Sequence, residues 1–170
     1  MKKDILGNAL LDYQLGKYSE DITTYSSLDE EDQLPLPYMF RTFKDMPKLE
    51  QKALNICQGE ILDVGCGAGS HSLYLQNKGL SVTSLDSSSG AIEVSKLRGL
   101  KNPINENLLN FEGKTYDTIL ILMNGVGLAG TLNGLEKFFA KLKSLLKTDG
   151  QILLDSSDII YMFENDEDGG

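Results

Sequence analysis

The chain has 170 residues, 41% of them apolar and 24% charged, enough to bury one domain core with an appendage. Its formal net charge of −9 sets it against non-specific binding to nucleic acid or anionic membrane, both polyanions, and favours a small or neutral substrate. Cys57 and Cys66 lack the second pair that a metal site needs and are expected as reduced thiols, with no metal bound. The longest apolar run, Ile119 to Met123, is too short to span a bilayer, and a cytoplasmic location is expected.

Asp4 to Lys17 spaces Ile5, Ala9, Leu10 and Tyr13 as an amphipathic helix does, with Gly16 weakening its end. Ser19 to Gln33 carries Glu20, Asp21, Asp29, Glu30, Glu31 and Asp32 and reads as a solvated, mobile connection. Pro35 and Pro37 predict extended backbone before Tyr38-Met39-Phe40-Arg41-Thr42-Phe43, whose aromatic rings need a surface to lie on. Residues 1–46 therefore form an N-terminal helical lid and residues 47–170 the core.

Pro47 opens a helix bearing Leu49, Ala53, Leu54 and Cys57. The next stretch, Glu60-Ile61-Leu62-Asp63-Val64-Gly65-Cys66-Gly67-Ala68-Gly69, is a strand that breaks into a glycine turn. Glycines at Gly65, Gly67 and Gly69 permit turn conformations and leave a wall without side chains, against which a ligand can approach the backbone. Ser70 is the expected N-cap of the following helix, and Gly79 its stop. Leu80 to Leu85 forms a second strand ending at Asp86, where a carboxylate can accept hydrogen bonds from a ribose diol.

Those features imply a nucleoside-containing cofactor, either a dinucleotide or S-adenosylmethionine. Ser70 stands where the dinucleotide fingerprint has its last glycine. Asp63 beside the loop would repel a pyrophosphate, whereas it would favour the ammonium and sulfonium charges of S-adenosylmethionine. Further on, Ser87 to Ser89 cap a helix over Ala91 to Leu97, and Pro103 and Ile104 make a short strand. Tyr116 to Leu122 is a fourth strand, Leu132 to Leu146 a helix, and Gln151 to Asp155 a fifth strand after the Asp149-Gly150 turn.

The motif Ile61 to Gly69 followed by Asp86 resembles the class I S-adenosylmethionine-dependent methyltransferases over roughly residues 47–155. The resemblance implies an α/β fold with a doubly wound, mostly parallel, Rossmann-like sheet of seven strands. It implies that Gly65, Gly67 and Gly69, with Asp63 and Cys66, line the methionine end of the cofactor. Asp86 and Ser87 would then meet the ribose, Asn107 (with Asn105 close by) the adenine, and Met123 the cofactor from the fourth strand. An amide at Asn107 could accept from the adenine amino group and donate to a ring nitrogen. Arg41 occupies the place of an arginine that reaches the methionine carboxylate in related small-molecule enzymes. Tyr38, Asn124 and Gly125 fall on the substrate side.

The implied function is methyl transfer to a small molecule; a non-catalytic S-adenosylmethionine-binding module and a nicotinamide-dependent oxidoreductase are the alternatives. His71, the only histidine, is expected in a solvent-facing or cofactor-side structural role. Two family strands do not fit after Asp155, so the chain is expected to be cut short, with the fifth strand at an open edge that invites self-association and Asp158 to Phe163 folded back over it.

Overall fold

The computed structural model describes residues 3–25 and 31–157. Helix α1 (Ile5–Gln14) begins after Asp4, whose carboxylate accepts the Gly7 N–H at 3.0 Å, and ends before Gly16, which takes a positive φ.

The described parts of the acidic segment, residues 19–25 and 31–33, are largely exposed, as its charge implied, but carry two short strands. Strands β1 (Ile22–Tyr25) and β2 (Glu31–Leu34) pair antiparallel, Ile22 opposite Leu34. Thr23, Thr24 and Tyr25 suit a pleated backbone, and the Thr24 hydroxyl donates to the Asp32 carbonyl at 3.2 Å. Asp21 ties the ends of the segment, accepting from the Tyr18 hydroxyl and the Leu36 N–H. The acidic side chains of β2 remain exposed, so the two strands pair without burying them.

Pro35 has the expected extended backbone, whereas Pro37 does not. Leu36–Met39 is a short helix, α2, with Pro37 in its first turn, where a missing N–H costs nothing. The aromatic cluster lies on a surface as expected: Phe40 packs on Tyr13 at 4.5 Å and Phe43 stacks on Tyr74 at 4.0 Å between ring centroids.

The core is a five-stranded parallel sheet. Its strands are β3 (Glu60–Val64), β4 (Ser81–Asp86), β5 (Pro103–Asn105), β6 (Tyr116–Ile121) and β7 (Leu146–Leu154), in the order β5-β4-β3-β6-β7. Helices α3 (Lys48–Ile56), α4 (Ser70–Asn77), α5 (Ser89–Leu97) and α6 (Leu135–Ser144) connect or flank them.

Strand alternation sorts the apolar residues onto two faces. Leu62, Val64, Ile119 and Ile121 pack with Phe138 and Leu142 of α6, while Ile61, Leu120 and Leu122 pack with Leu54 of α3 and Leu75 of α4. A third cluster joins Leu10 of α1, Leu36 of α2, and Ala91 and Val94 of α5, so the N-terminal elements are part of the packed body.

Helix α4 is capped by Gly69 in the left-handed region and not by Ser70, whose hydroxyl donates instead to the Met39 carbonyl at 2.7 Å. In α3, Leu49 is exposed and Glu50 is buried, the reverse of their hydropathy. The resemblance implies seven strands, and the described residues hold five in this sheet. Strand β7 pairs with β6 on one side and has no second partner strand among the described residues. Asp158 to Phe163, expected to cover that edge, lies outside the described residues.

Candidate cofactor site

The strand order reverses between β3 and β6, and an open cleft of about 770 Å³ lies along the carboxyl ends of the strands there. That volume falls in the range of small-molecule sites, about 300–1,000 Å³. Its walls come from the loops after β3, β4, β5 and β6, and from Lys3 to Leu6, Leu34 and Met39 of the N-terminal segment.

Gly65 and Gly67 line the cleft with φ of +73° and +53°. A Cβ on Gly67 would have one near neighbour, the Met39 methyl carbon at 3.4 Å, and one on Gly65 would meet only Leu128 at 3.7 Å. Both therefore present open backbone to a ligand. Gly69 does not. A side chain there would strike Leu100 and Ser95, so its glycine serves helix packing behind the loop and not the methionine end. The Cys66 thiol likewise turns toward Ser95, 3.9 Å away, and burial pushes its pKa up; it is an inert packed thiol.

Asp86 stands at the end of β4 in the cleft wall. One carboxylate oxygen accepts the Gly67 N–H and the other the Ser88 N–H, both at 2.9 Å. Burial raises its pKa against the pull of those two N–H groups, and the negative charge of Asp4 adds to the rise. Each oxygen retains acceptor capacity for a hydroxyl. Ser87 lines the cleft beside it.

Asn107 also lines the cleft, and its side-chain oxygen accepts the Leu109 N–H at 2.9 Å. That oxygen keeps a second lone pair and the amide nitrogen supplies donors, so the side chain can still donate to a ring nitrogen and accept from an amino group. The Asn105 amide donates to the Asp86 carbonyl and holds β5 against β4.

Beyond β6, Met123 and Asn124 both take left-handed backbone, at φ of +64° and +62°, a costly arrangement for two successive non-glycine residues. Asp155, after β7, holds it in place by accepting the N–H groups of Met123 at 3.1 Å and Gly125 at 3.0 Å. Met123, Asn124, Gly125, Gly127 and Leu128 bring this loop into the same cleft as the glycine turn.

A smaller cavity, about 20 Å³, sits behind the glycine turn and shares Met39, Gly65, Leu122 and Met123 with the cleft. Asp63 lines it, buried, accepting from the Ser72 hydroxyl at 2.6 Å, and burial raises its pKa. Arg41 and His71 line it too, and Glu50 joins them: its Oε2 accepts from Arg41 Nη2 at 2.5 Å and His71 Nε2 at 2.8 Å. Burial opposes the charge on Glu50, but those hydrogen bonds outweigh it and hold the carboxyl below its ordinary pKa.

His71 is thus buried and paired, not solvent-facing. Arg41 is already neutralised by Glu50, and its Nη1 donates to the Tyr38 carbonyl at 2.7 Å. Its Nε is buried and without a partner among the described residues. Tyr38 is not brought to the cleft; its ring lies under the Arg41 guanidinium at 3.9 Å, and Met39 and Leu34 take the wall position expected of it.

The residues present fit S-adenosylmethionine: two bare glycines for close backbone approach, a strand-end carboxylate with spare acceptor capacity, and a cleft whose Asp4, Asp86 and Glu106 outweigh Lys3. Sequence reasoning missed Asp4, Glu50 and Asp155. For Asp4 a signal existed, an N-cap residue ahead of an apolar helix; the other two are defined by partners distant in the chain.

Comparison with known proteins agrees. The family model described as "Methyltransferase domain" matches residues 62–154. A solved S-adenosylmethionine-dependent methyltransferase from Bacteroides fragilis, in complex with S-adenosyl-L-homocysteine, is 44% identical, with a TM-score of 0.91 over 97% of this chain and 69% of that one. YqeM of Bacillus subtilis (strain 168), which carries a methyltransferase name, is 28% identical over 105 residues, 58% of this chain and 42% of its own. A relative from Geobacillus sp. (strain WCH70), also with a methyltransferase name, is 27% identical over 101 residues, 56% of this chain and 41% of its own. The chain thus matches less than half the length of these two curated relatives. With the family model covering more than half of the sequence and the glycine turn and Asp86 at the head of one cleft, this chain belongs to the S-adenosylmethionine-dependent methyltransferases.

Proposed function

We propose that this chain binds S-adenosylmethionine in the cleft and transfers its methyl group to a small-molecule acceptor. The observation that carries the reading is the continuity of the cleft: the glycine turn and Asp86 share it with the Asp155-clamped loop at Met123–Leu128. When bound, the cofactor would supply a methyl group on a cationic sulfur: the acceptor's lone pair would bond to the methyl carbon in line as the S–CH3 bond breaks, its electron pair remaining on the sulfur of S-adenosylhomocysteine. The protein's part is positioning and exclusion of water. Gly65 and Gly67 admit the methionine end, Asp86 holds the ribose hydroxyls, and Asn107 donates to the adenine. Arg41, whose guanidinium lines the small cavity behind the turn, is the cationic side chain proposed to face the methionine carboxylate. Ile5, Leu6, Leu34 and Leu128 give the cleft an apolar rim that fits a small acceptor, and the net charge of −9 disfavours a polyanionic one.

Asp86→Ala is expected to weaken binding of S-adenosylhomocysteine by about 10–100-fold, since charge-assisted hydrogen bonds contribute about 1.5–3 kcal/mol. Folding should survive. A folded Asp86→Ala variant with unchanged affinity would remove Asp86 from the site. Transfer of labelled methyl to a fractionated metabolite pool tests the acceptor class; cofactor binding without any labelled product would leave a binding module in place of an enzyme.

A further inference from the structure

Asp4 is the residue through which the N-terminal helix reaches the cofactor site. Its Oδ1 caps α1 through the Gly7 N–H, and its Oδ2 accepts from the Gly90 N–H at 3.0 Å, the Ser88 hydroxyl at 2.9 Å and the Ser89 hydroxyl at 3.4 Å. One carboxylate therefore serves the amino ends of both α1 and α5, where helix dipoles favour a negative charge. Ser88 continues the chain of bonds. Its hydroxyl caps α5 at the Ala91 N–H, and its own N–H donates to Asp86, which in turn accepts from Gly67. Four links thus join the start of α1 to the glycine turn.

The helix crossing is built to allow this. A Cβ on Gly90 would overlap the backbone of Gly7 at 2.5 Å, so α1 and α5 touch backbone to backbone where Asp4 makes its contacts. Asp4 and Asp86 both line the cleft and are bridged by Ser88, and the negative charge of Asp4 adds to the rise in the Asp86 pKa.

We propose that Asp4 is a positioning residue for the cofactor's ribose: it fixes Ser88, and Ser88 fixes the orientation of the Asp86 carboxylate. This rests on the reading of Asp86 as the ribose ligand. The N-terminal segment is then an integral wall of the site rather than a lid that arrives with the ligand.

The test is a double-mutant cycle read by calorimetry with S-adenosylhomocysteine and with adenosine, which keeps the ribose and base but lacks the amino acid. Asp4→Ala should weaken both ligands by the same factor, about tenfold. In an Asp86→Ala background the same substitution should have no further effect, because its action runs through Asp86. Asp4→Asn is the second variant. It keeps the α1 cap but replaces one acceptor oxygen with a donor, so it should fold if Asp4→Ala does not and still weaken adenosine. Unchanged affinity in a folded Asp4 variant with a lowered Tm would overturn the proposal and leave a purely structural cap. So would an Asp4 effect that adds in full to that of Asp86→Ala. If Asp86→Ala alone changes nothing, the ribose reading itself fails; if Asp86→Ala weakens binding and the Asp4 variants do not, only this inference fails.

Discussion

Glu50→Ala is expected to lower the stability of the protein by about 3–5 kcal/mol, the cost of breaking a buried ion pair by removing one partner. For a chain of this size that corresponds to a fall in Tm on the order of 10 °C. The Arg41 and Glu50 side chains are 4% and 6% exposed, and His71 shares the same carboxylate oxygen. Without Glu50, the guanidinium would be a buried charge with only the Tyr38 carbonyl and the Tyr38 ring against it. Because the folded pKa of Glu50 lies below its ordinary 4.5, its ionisation contributes stability in full above that value. The contribution is lost as pH falls through the lowered folded pKa. Glu50→Gln should therefore remove part of the acid destabilisation of the wild type, giving a flatter Tm profile as the pH falls below the ordinary carboxylate value of 4.5. Thermal unfolding by circular dichroism measures both effects, and an alanine variant within about 1 kcal/mol of the wild type at neutral pH would show that the network is not a stabilising charge cluster.

Gly67→Val is expected to reduce affinity for S-adenosylhomocysteine on the order of 100-fold or more while the protein stays folded. Gly67 has φ of +53°, where a β-branched residue is strained by roughly 1–2 kcal/mol, and its N–H holds Asp86. A Cβ there is tolerated by its neighbours, since only the flexible Met39 methyl lies within 4 Å. The branches of valine would then occupy the space that a ligand uses. Gly79→Val is the control. Gly79 has φ of +86°, and a Cβ there would have nothing within 4 Å, so the variant suffers the backbone strain without a ligand nearby. Both variants should lose similar stability, and only Gly67→Val should lose affinity. Equal binding by the two variants would mean that the glycine turn does not approach the cofactor.

The parts of this architecture legible in the sequence are those written locally. Ile61 to Val64 before a glycine turn, and Leu80 to Leu85 before Asp86, announce buried parallel strands and place Gly67 and Asp86 together, because β3 and β4 pair in register. Parts written by distant partners were not legible. Glu50 looks like a surface residue of α3 until Arg41 and His71, 9 and 21 residues away, are brought to it. Asp4 meets Gly90 across 86 residues, and Asp155 meets Met123 across 32. Tertiary packing also overrode local preference. Ser70 is a good N-cap by type, but its hydroxyl is drawn to the Met39 carbonyl, and Gly69 takes the cap because Leu100 and Ser95 leave no room for a side chain. In the acidic segment, charge pointed to a solvated connection; the described parts are exposed, and what charge did not reveal is that Thr23, Thr24 and Tyr25 pair with β2.

Isothermal titration of the 170-residue chain decides whether the cleft at the β3–β6 switch point is an S-adenosylmethionine site. S-adenosylhomocysteine should bind with a stoichiometry of about one and give saturable heat, NAD⁺ under the same conditions should give none, and saturation should be lost in Gly67→Val. Saturable binding of NAD⁺ with no heat from S-adenosylhomocysteine would contradict the assignment.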